Sequence, residues 1–170
     1  FILLKEQAPF KDVKLVLTGG TTGDDRPFVN KQIKKLRKKR ILGDIEFIEK
    51  FDKASLNSFF AKTTLLSVPV LKGEAFGTYQ LEALACGTPL VQPALGAFPE
   101  IIKTSGGGAT YEPNTPEALA AKWMEVLSSN STINEMSKKG RAAILEHYSN
   151  DVLTKKVLAI YEKVIAGYSK

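Results

Sequence analysis

Short runs of Val, Leu and Ile recur along the first 110 residues with helical stretches between them, and this alternation constrains the fold more than any other feature. The pattern predicts strands near 13–18, 44–49, 64–68, 89–92 and 108–110, and helices near 28–40, 53–62, 77–86 and 97–103. Strands buried on both faces read as continuous apolar runs, and strand–helix–strand connections make neighbouring strands parallel. The expected fold is α/β, a Rossmann-like parallel sheet with helices on both faces. In such sheets ligands lie beyond the carboxyl ends of the strands, which puts the loop leaving the strand near Leu65 at the ligand edge. With 170 residues, 44% of them hydrophobic, there is room for one domain with a full core, spanning 1–170.

After Tyr111 the pattern becomes wholly helical and predicts a helical C-terminal tail. One helix has Asn114 or Thr115 as its cap and Pro116 in its first turn, with Leu119, Trp123, Val126 and Leu127 at helical intervals. A second runs from about Thr132 to His147. A last begins near Ser149 or Asn150, with Leu153, Val157, Ile160, Tyr161 and Val164 on one stripe.

The chemistry concentrates in Gly73-Glu74-Ala75-Phe76-Gly77-Thr78-Tyr79-Gln80-Leu81-Glu82-Ala83-Leu84-Ala85-Cys86-Gly87. Two carboxylates eight residues apart bracket a glycine-bearing loop that becomes a helix. Gly87 is placed to end that helix, Glu74 precedes it and Glu82 lies inside it. A helix start presents unpaired N–H groups and partial positive charge, so the amides around Gly77, Thr78 and Tyr79 suit a phosphate or diphosphate. Each carboxylate accepts at two oxygens and matches a pair of neighbouring hydroxyls, as sugars offer. Alternatively, both glutamates are surface acids near a helix start, where the dipole favours them.

Other chemistries find little support. No GxxxxGK[ST] loop and no GxGxxG fingerprint occurs, so Gly19-Gly20-Thr21-Thr22-Gly23 reads as a strand-to-helix turn. Cys86, the only cysteine, forms no internal disulfide; it reads as a small core residue and points to a reducing, cytoplasmic compartment. His147, the only histidine, lies in the helical tail far from this motif and reads as a solvated or helix-end residue. Asp24 and Asp25 sit in a glycine-rich turn, and no metal or other cofactor is expected. No apolar run reaches the roughly 20 residues of a membrane span, and the start carries neither Met nor a charged-then-apolar leader, as expected of a piece of a longer protein.

The formal net charge of +6 is local. Lys31 to Arg40 holds seven of the 24 cations and no acid, which leaves 17 cations against 18 acids elsewhere. Ile33 and Leu36, with the Arg40 stem, form a narrow apolar stripe on a surface helix. Such a helix is either a solvated face, which the narrow stripe favours, or a peripheral contact with anionic lipid or a lipid-linked acceptor. Nucleic acid is not expected, because no aromatics are interleaved with the cations.

The whole phrase Glu74-Ala75-Phe76-Gly77, Leu81-Glu82-Ala83-Leu84-Ala85, Gly87-Thr88-Pro89-Leu90-Val91 and Gly96-Ala97-Phe98-Pro99-Glu100-Ile101 closely resembles the E-x7-E region of family-4 retaining glycosyltransferases of GT-B fold. Val13 to Gly20, Ile45 to Ile48, Gly106 to Ala109 and Pro113 to Ala120 resemble further parts of the same domain, so the match runs from about Phe1 to Lys170. The resemblance implies a domain that binds the nucleotide-sugar donor, with a separate N-terminal domain for a glycan, lipid-linked or small-molecule acceptor. It implies that Glu82 grips the ribose hydroxyls and that Glu74 contacts the transferred sugar. Ala75, Phe76, Gly77, Thr78 and Tyr79 would line the sugar and diphosphate. It further implies retention at the anomeric carbon without a metal, and a terminal helix that returns toward the N-terminal domain.

The sequence departs from that pattern in three places. The arginine and lysine that neutralise the diphosphate in the family have no counterpart here, since Phe1-Ile2-Leu3-Leu4 reads as the middle of the helix that follows the first strand. The usual Pro-Ser before the first glutamate is rearranged to Ser67-Val68-Pro69, and a methionine common in the Glu82 helix is Leu84. A non-catalytic nucleotide-sugar binding module and a GT-B sugar-nucleotide epimerase stand as alternatives to a transferase.

Overall fold

The computed structural model describes residues 1–48 and 52–168. Eight helices and four strands are described: α1 (Ile2–Lys5), β1 (Leu15–Thr18), α2 (Arg26–Lys38), β2 (Ile45–Ile48), α3 (Lys53–Lys62), α4 (Thr78–Ala85), β3 (Leu90–Pro93), α5 (Phe98–Ser105), β4 (Gly108–Tyr111), α6 (Pro116–Leu127), α7 (Asn130–Ala143) and α8 (Asn150–Tyr168). A π-helical segment, Ile144–Tyr148, joins the last two helices.

Local chemistry accounts for the helix ends. The Asp52 carboxylate accepts from the Ser55 amide at 2.7 Å and starts α3. Thr115, not Asn114, caps α6 by accepting from the Ala118 amide at 3.2 Å, with Pro116 in the first turn. Ser129 caps α7, which therefore begins before the expected Thr132. α4 closes in a Schellman motif: Gly87 is left-handed, its amide donates to Leu84 O, and the Thr88 amide donates to Ala83 O, both at 2.9 Å. α2 ends two residues earlier than expected, before Arg40, which has φ 58°.

The core surrounds β3, whose four residues are all buried. Successive side chains on a strand point to opposite faces. Leu90 joins Phe60, Ala83, Leu84, Ile101, Ile102 and Ile144 in one cluster, while Val91 joins Tyr111, Leu119 and Val126 in another. Helices α4 and α5 and the π-helical segment thus cover one face of the β3–β4 pair and α6 the other, with Ile133 and Met136 of α7 packed against the second cluster. Cys86 is half-buried against the first cluster, as its core reading requires.

The single expected sheet is instead two parallel pairs, β1–β2 and β3–β4. The expected strand at 64–68 contributes one isolated bridge, Leu66 to Leu90. Leu66 donates to Pro89 O and accepts from the Val91 amide, both at 2.9 Å, but the ladder stops there. Its next bond, from the Val68 amide to Val91 O, is replaced by bonds to the Gln92 side chain and from Ser67 Oγ, and Pro93 has no N–H for the one after it. The expected strand at 44–49 is seen as Ile45–Ile48, residue 49 lying outside the described residues.

No residue from Lys11 to Ile48 is buried, although strands of an α/β sheet are expected to be. Leu17 and Phe47, at facing positions of the β1–β2 ladder, are exposed. Lys5 links this unit to the rest. Its buried ammonium donates to the carbonyls of Lys11 and Val13 and pairs with Asp44 at 2.9 Å, while α1 itself packs on α6. The stripe Leu153, Val157, Ile160, Tyr161 and Val164 of α8 is exposed, and none of the described residues buries it. No described helix is long and apolar enough to cross a membrane.

Candidate functional site

The loop from Ser67 to Gly77 carries Glu74 to the start of α4. Two glycines make that path possible. A Cβ on Gly96 would lie 2.3 Å from Glu74 O and 2.7 Å from Glu74 N, and Gly96 is itself left-handed at φ 55°. The Ala97 amide donates to Glu74 O at 2.9 Å, so the backbone of the glutamate is pinned against the segment before α5. Gly77, at φ 73°, turns the chain into α4, and a Cβ there would meet Gln80 and Glu74 side chains at 2.9 and 3.0 Å.

Glu74 is half-buried. One carboxylate oxygen accepts from the Ala75 amide at 3.0 Å and the other from the Tyr79 hydroxyl at 3.5 Å. A carboxylate offers about four acceptor positions, so each oxygen keeps capacity for a ligand hydroxyl. Burial, together with the neighbouring Glu74 charge, pushes the Tyr79 phenol up to about 12. It therefore stays protonated near neutrality and serves as a hydrogen-bond donor to the carboxylate.

At the start of α4 the Gln80 amide already donates to Gly77 O at 2.9 Å. Among the described residues the Thr78 and Tyr79 amides have no acceptor, and they sit where the helix dipole is positive. Thr78 and Glu82 are both exposed and lie one turn apart on the same helix face, whereas Gln80, Ala83 and Leu84 face the core. Ala75 and Phe76 are exposed beside them, Phe76 by 44%. Glu74 and the two open amides thus lie together at the start of α4, with Glu82 exposed one turn beyond Thr78. This helix start lies beyond the Leu66 bridge, as expected of a ligand site in a parallel α/β fold.

Side chains that the sequence reading left as core or cap hold this loop in place. The Trp123 indole N–H donates 2.7 Å to Ser67 Oγ, which donates 2.5 Å to Val91 O. The Val68 amide donates to Gln92 Oε1 at 2.8 Å. Asn114 donates to Val70 O at 2.9 Å and accepts from the Tyr111 hydroxyl at 3.2 Å. Gln80 Nε2 donates to Phe76 O at 2.9 Å. The one available signal was general: a Trp packed into protein finds a partner for its indole N–H.

Among the described residues, no three His, Cys, Asp or Glu side chains cluster as metal ligands. His147 lies at the end of the π-helical segment, 3.9 Å from Glu146. Asp25 accepts from Thr22 within its own turn, and those hydrogen bonds hold its carboxyl below the usual range. An open concavity of about 540 Å3 lies elsewhere, along α2, lined by Pro27, Asn30, Lys31, Lys34, Lys35 and Lys38.

The chain resembles a D-inositol 3-phosphate glycosyltransferase of Mycolicibacterium gilvum, 28% identical over 143 residues, 84% of this chain and 31% of that protein. It also resembles a phosphatidyl-myo-inositol mannosyltransferase of Mycobacterium leprae, 26% identical over 163 residues, 95% of this chain and 41% of that protein. It therefore spans 31% and 41% of the length of these two relatives. The C-terminal domain of a glycosyl transferase group 1 protein, LpcC of Francisella tularensis, superposes with TM-score 0.77 at 24% identity, over 88% of this chain and 75% of that one. HepE of Anabaena, solved with UDP-glucose, superposes with TM-score 0.80 at 16% identity, over 95% of this chain and 44% of that one. The fold is that of a GT-B C-terminal domain. Residues 1–143 match the family described as Glycosyl transferases group 1, and the chain belongs to that family.

Proposed function

We propose that this chain is the donor-binding domain of a retaining glycosyltransferase, which in the whole protein moves a sugar from a nucleotide diphosphate sugar to a glycan, lipid-linked or small-molecule acceptor. The observation that carries this reading is the half-buried Glu74, fixed beside two open amides at the start of α4, with Glu82 exposed one helix turn beyond Thr78. In this reading Glu82 accepts from the ribose diol and Glu74 from hydroxyls of the transferred sugar. The Thr78 and Tyr79 amides meet the diphosphate, whose negative charge grows as the glycosidic bond breaks. Ala75, Phe76 and Gly77 line the sugar. No metal or other cofactor is assigned, since the nucleotide sugar is itself a substrate. The HepE complex with UDP-glucose supports the donor class.

Transfer needs an acceptor held in line, which this reading gives to a separate N-terminal domain, so the chain alone binds donor and transfers nothing. A cytoplasmic location peripheral to a membrane belongs to the same reading. Lys31, Lys34, Lys35 and Lys38 fall within an arc of about 100° on α2, opposite the half-buried Val29, Ile33 and Leu36. None of the four has a carboxylate partner among the described residues. A relative named for phosphatidyl-myo-inositol supports an acceptor at a lipid surface.

The test is saturation-transfer NMR with UDP-, GDP- and ADP-sugars on the wild type and Glu82→Gln. Saturation from one nucleotide, reduced about ten- to a hundredfold in affinity by the mutation, is expected from losing a charge-assisted pair of hydrogen bonds. Equal binding by both proteins would remove Glu82 from the site. In the full-length protein, sugar altered without acceptor would favour the epimerase, and donor binding without turnover the binding module.

A further inference from the structure

Two glutamines in the first core layer serve no obvious packing purpose. Gln80 and Gln92 are both 0% exposed. Among the described residues, Gln80 Oε1 and Gln92 Nε2 are the buried side-chain polar atoms without a hydrogen-bond partner. Each such atom forfeits its bonds to water and gets nothing back. A core selected for stability alone would carry Leu or Met at both places.

The two residues share a layer. Gln92 lies two positions beyond Leu90 on β3 and so faces the same side, where Leu90 packs on Ala83 and Leu84 of α4. Gln80 is buried on that same helix. Each carboxamide uses one half only, and the bond it makes goes to the backbone of the Glu74 loop. Gln92 Oε1 takes the Val68 amide at the entry to the loop, and Gln80 Nε2 takes Phe76 O at its exit. The entry needs such a bond. A continued parallel ladder would send the Val68 amide to Val91 O, but Ser67 Oγ occupies that carbonyl, and Pro93 cannot supply the following rung.

We infer that Gln80 and Gln92 are positioning residues that clamp the two ends of the Val68–Phe76 loop and so fix Glu74 and the α4 amides in their binding geometry. The inference rests on the donor-site reading for its functional consequence. Its structural content stands apart from any ligand: Gln92 replaces a ladder bond where the loop leaves the sheet, and Gln80 ties the loop to the helix it enters.

The test uses Gln80→Met and Gln92→Met, near-isosteric changes that delete the clamp and the orphaned atom together. Donor affinity of the best nucleotide sugar is expected to fall about tenfold in each variant, the cost of ordering roughly one freed residue on binding. The melting temperature is expected to change little, because the lost bond to the loop backbone is offset by removal of a half-satisfied buried carboxamide. A purely structural role predicts the reverse, a lower melting temperature with donor affinity unchanged in the folded fraction.

Amide exchange of Ala97, whose N–H is bound to Glu74 O, gives a readout without ligand. It is expected to quicken in Gln80→Met, whereas exchange at Val91 in the core strand stays as in the wild type. Wild-type exchange at Ala97 in both variants overturns the clamp. Donor binding absent even in the wild type overturns the donor-site reading while the exchange result still decides the clamp. If one variant does not fold, the other decides; if neither folds, the carboxamides are structural and the inference fails.

Discussion

Replacing Gly96 by alanine would push on Glu74 without touching any side chain that contacts a ligand. The new Cβ would sit 2.3 Å from Glu74 O, where Cβ atoms essentially never come closer than 3.0 Å, so the glutamate backbone must retreat by at least the 0.7 Å difference. It cannot retreat and keep its 2.9 Å bond from the Ala97 amide. The left-handed φ of 55° at residue 96 adds a penalty of its own. Taking about 1–2 kcal/mol for an alanine in that conformation and about 1 kcal/mol for the lost hydrogen bond, the variant is destabilised by roughly 2–3 kcal/mol. At this chain length that lowers Tm by about 5–10 °C.

The functional effect should exceed the stability effect. A carboxylate misplaced by about 1 Å at a reacting centre costs on the order of a hundredfold in rate. Turnover by the full-length protein, measured well below the Tm of the variant, should fall by about that factor. Gly43→Ala is the control, since its added Cβ meets nothing within 4 Å. Wild-type turnover and Tm in Gly96→Ala would refute the claim that the Gly96 backbone sets the position of Glu74.

Trp123→Phe removes the indole bond to Ser67 Oγ at 2.7 Å; a net loss of about 1 kcal/mol and a Tm lower by about 2–4 °C are expected by calorimetry, with weaker donor binding in the same variant. Hydrogen bonds from Lys14 and then Lys5 hold the Asp44 carboxyl below its ordinary value. That contribution is fully present above the unfolded carboxyl pKa near 3.9 and is lost as pH falls through the lower folded value, so Tm measured from pH 5 to 2 should drop less steeply in Asp44→Asn. Changing Lys31, Lys34, Lys35 and Lys38 together to alanine should abolish salt-sensitive sedimentation with phosphatidylserine vesicles and leave donor affinity unchanged; binding to zwitterionic vesicles as strong as to anionic ones would count against an electrostatic contact.

The elements most legible in the sequence were those with punctuation at both ends. α3 spans the expected residues because Asp52 caps it and the polar–apolar pattern runs unbroken to Lys62. α4 was readable to within a residue because Gly77 and Gly87 each need a left-handed backbone. The strand at 64–68 was misjudged for a reason found largely outside its own residues, since its ladder is stopped by the Gln92 side chain and Pro93 on the neighbouring strand. Tertiary pairing of that kind has no local signature. Trp123 and Asn114 were likewise read from their helical neighbours, as a core position and a cap, whereas the indole reaches Ser67 across 56 residues and the amide reaches Val70 across 44. The loop-to-helix layout of the motif was accessible; the frame that holds it was not.

The bare state of the β1–α2–β2 unit bears on how this chain unfolds. Cooperativity comes from shared burial, and a unit with no buried residue between Lys11 and Ile48 shares little with the β3–β4 core. Its amides should exchange through openings that cost far less than global unfolding, with Lys5 and Asp44 as the last tie to let go. Melting followed by calorimetry should then give a calorimetric enthalpy larger than the van't Hoff value. A single free energy of unfolding would describe the part of the chain that carries Glu74 and Glu82, and would leave residues 11–48 with a stability of their own.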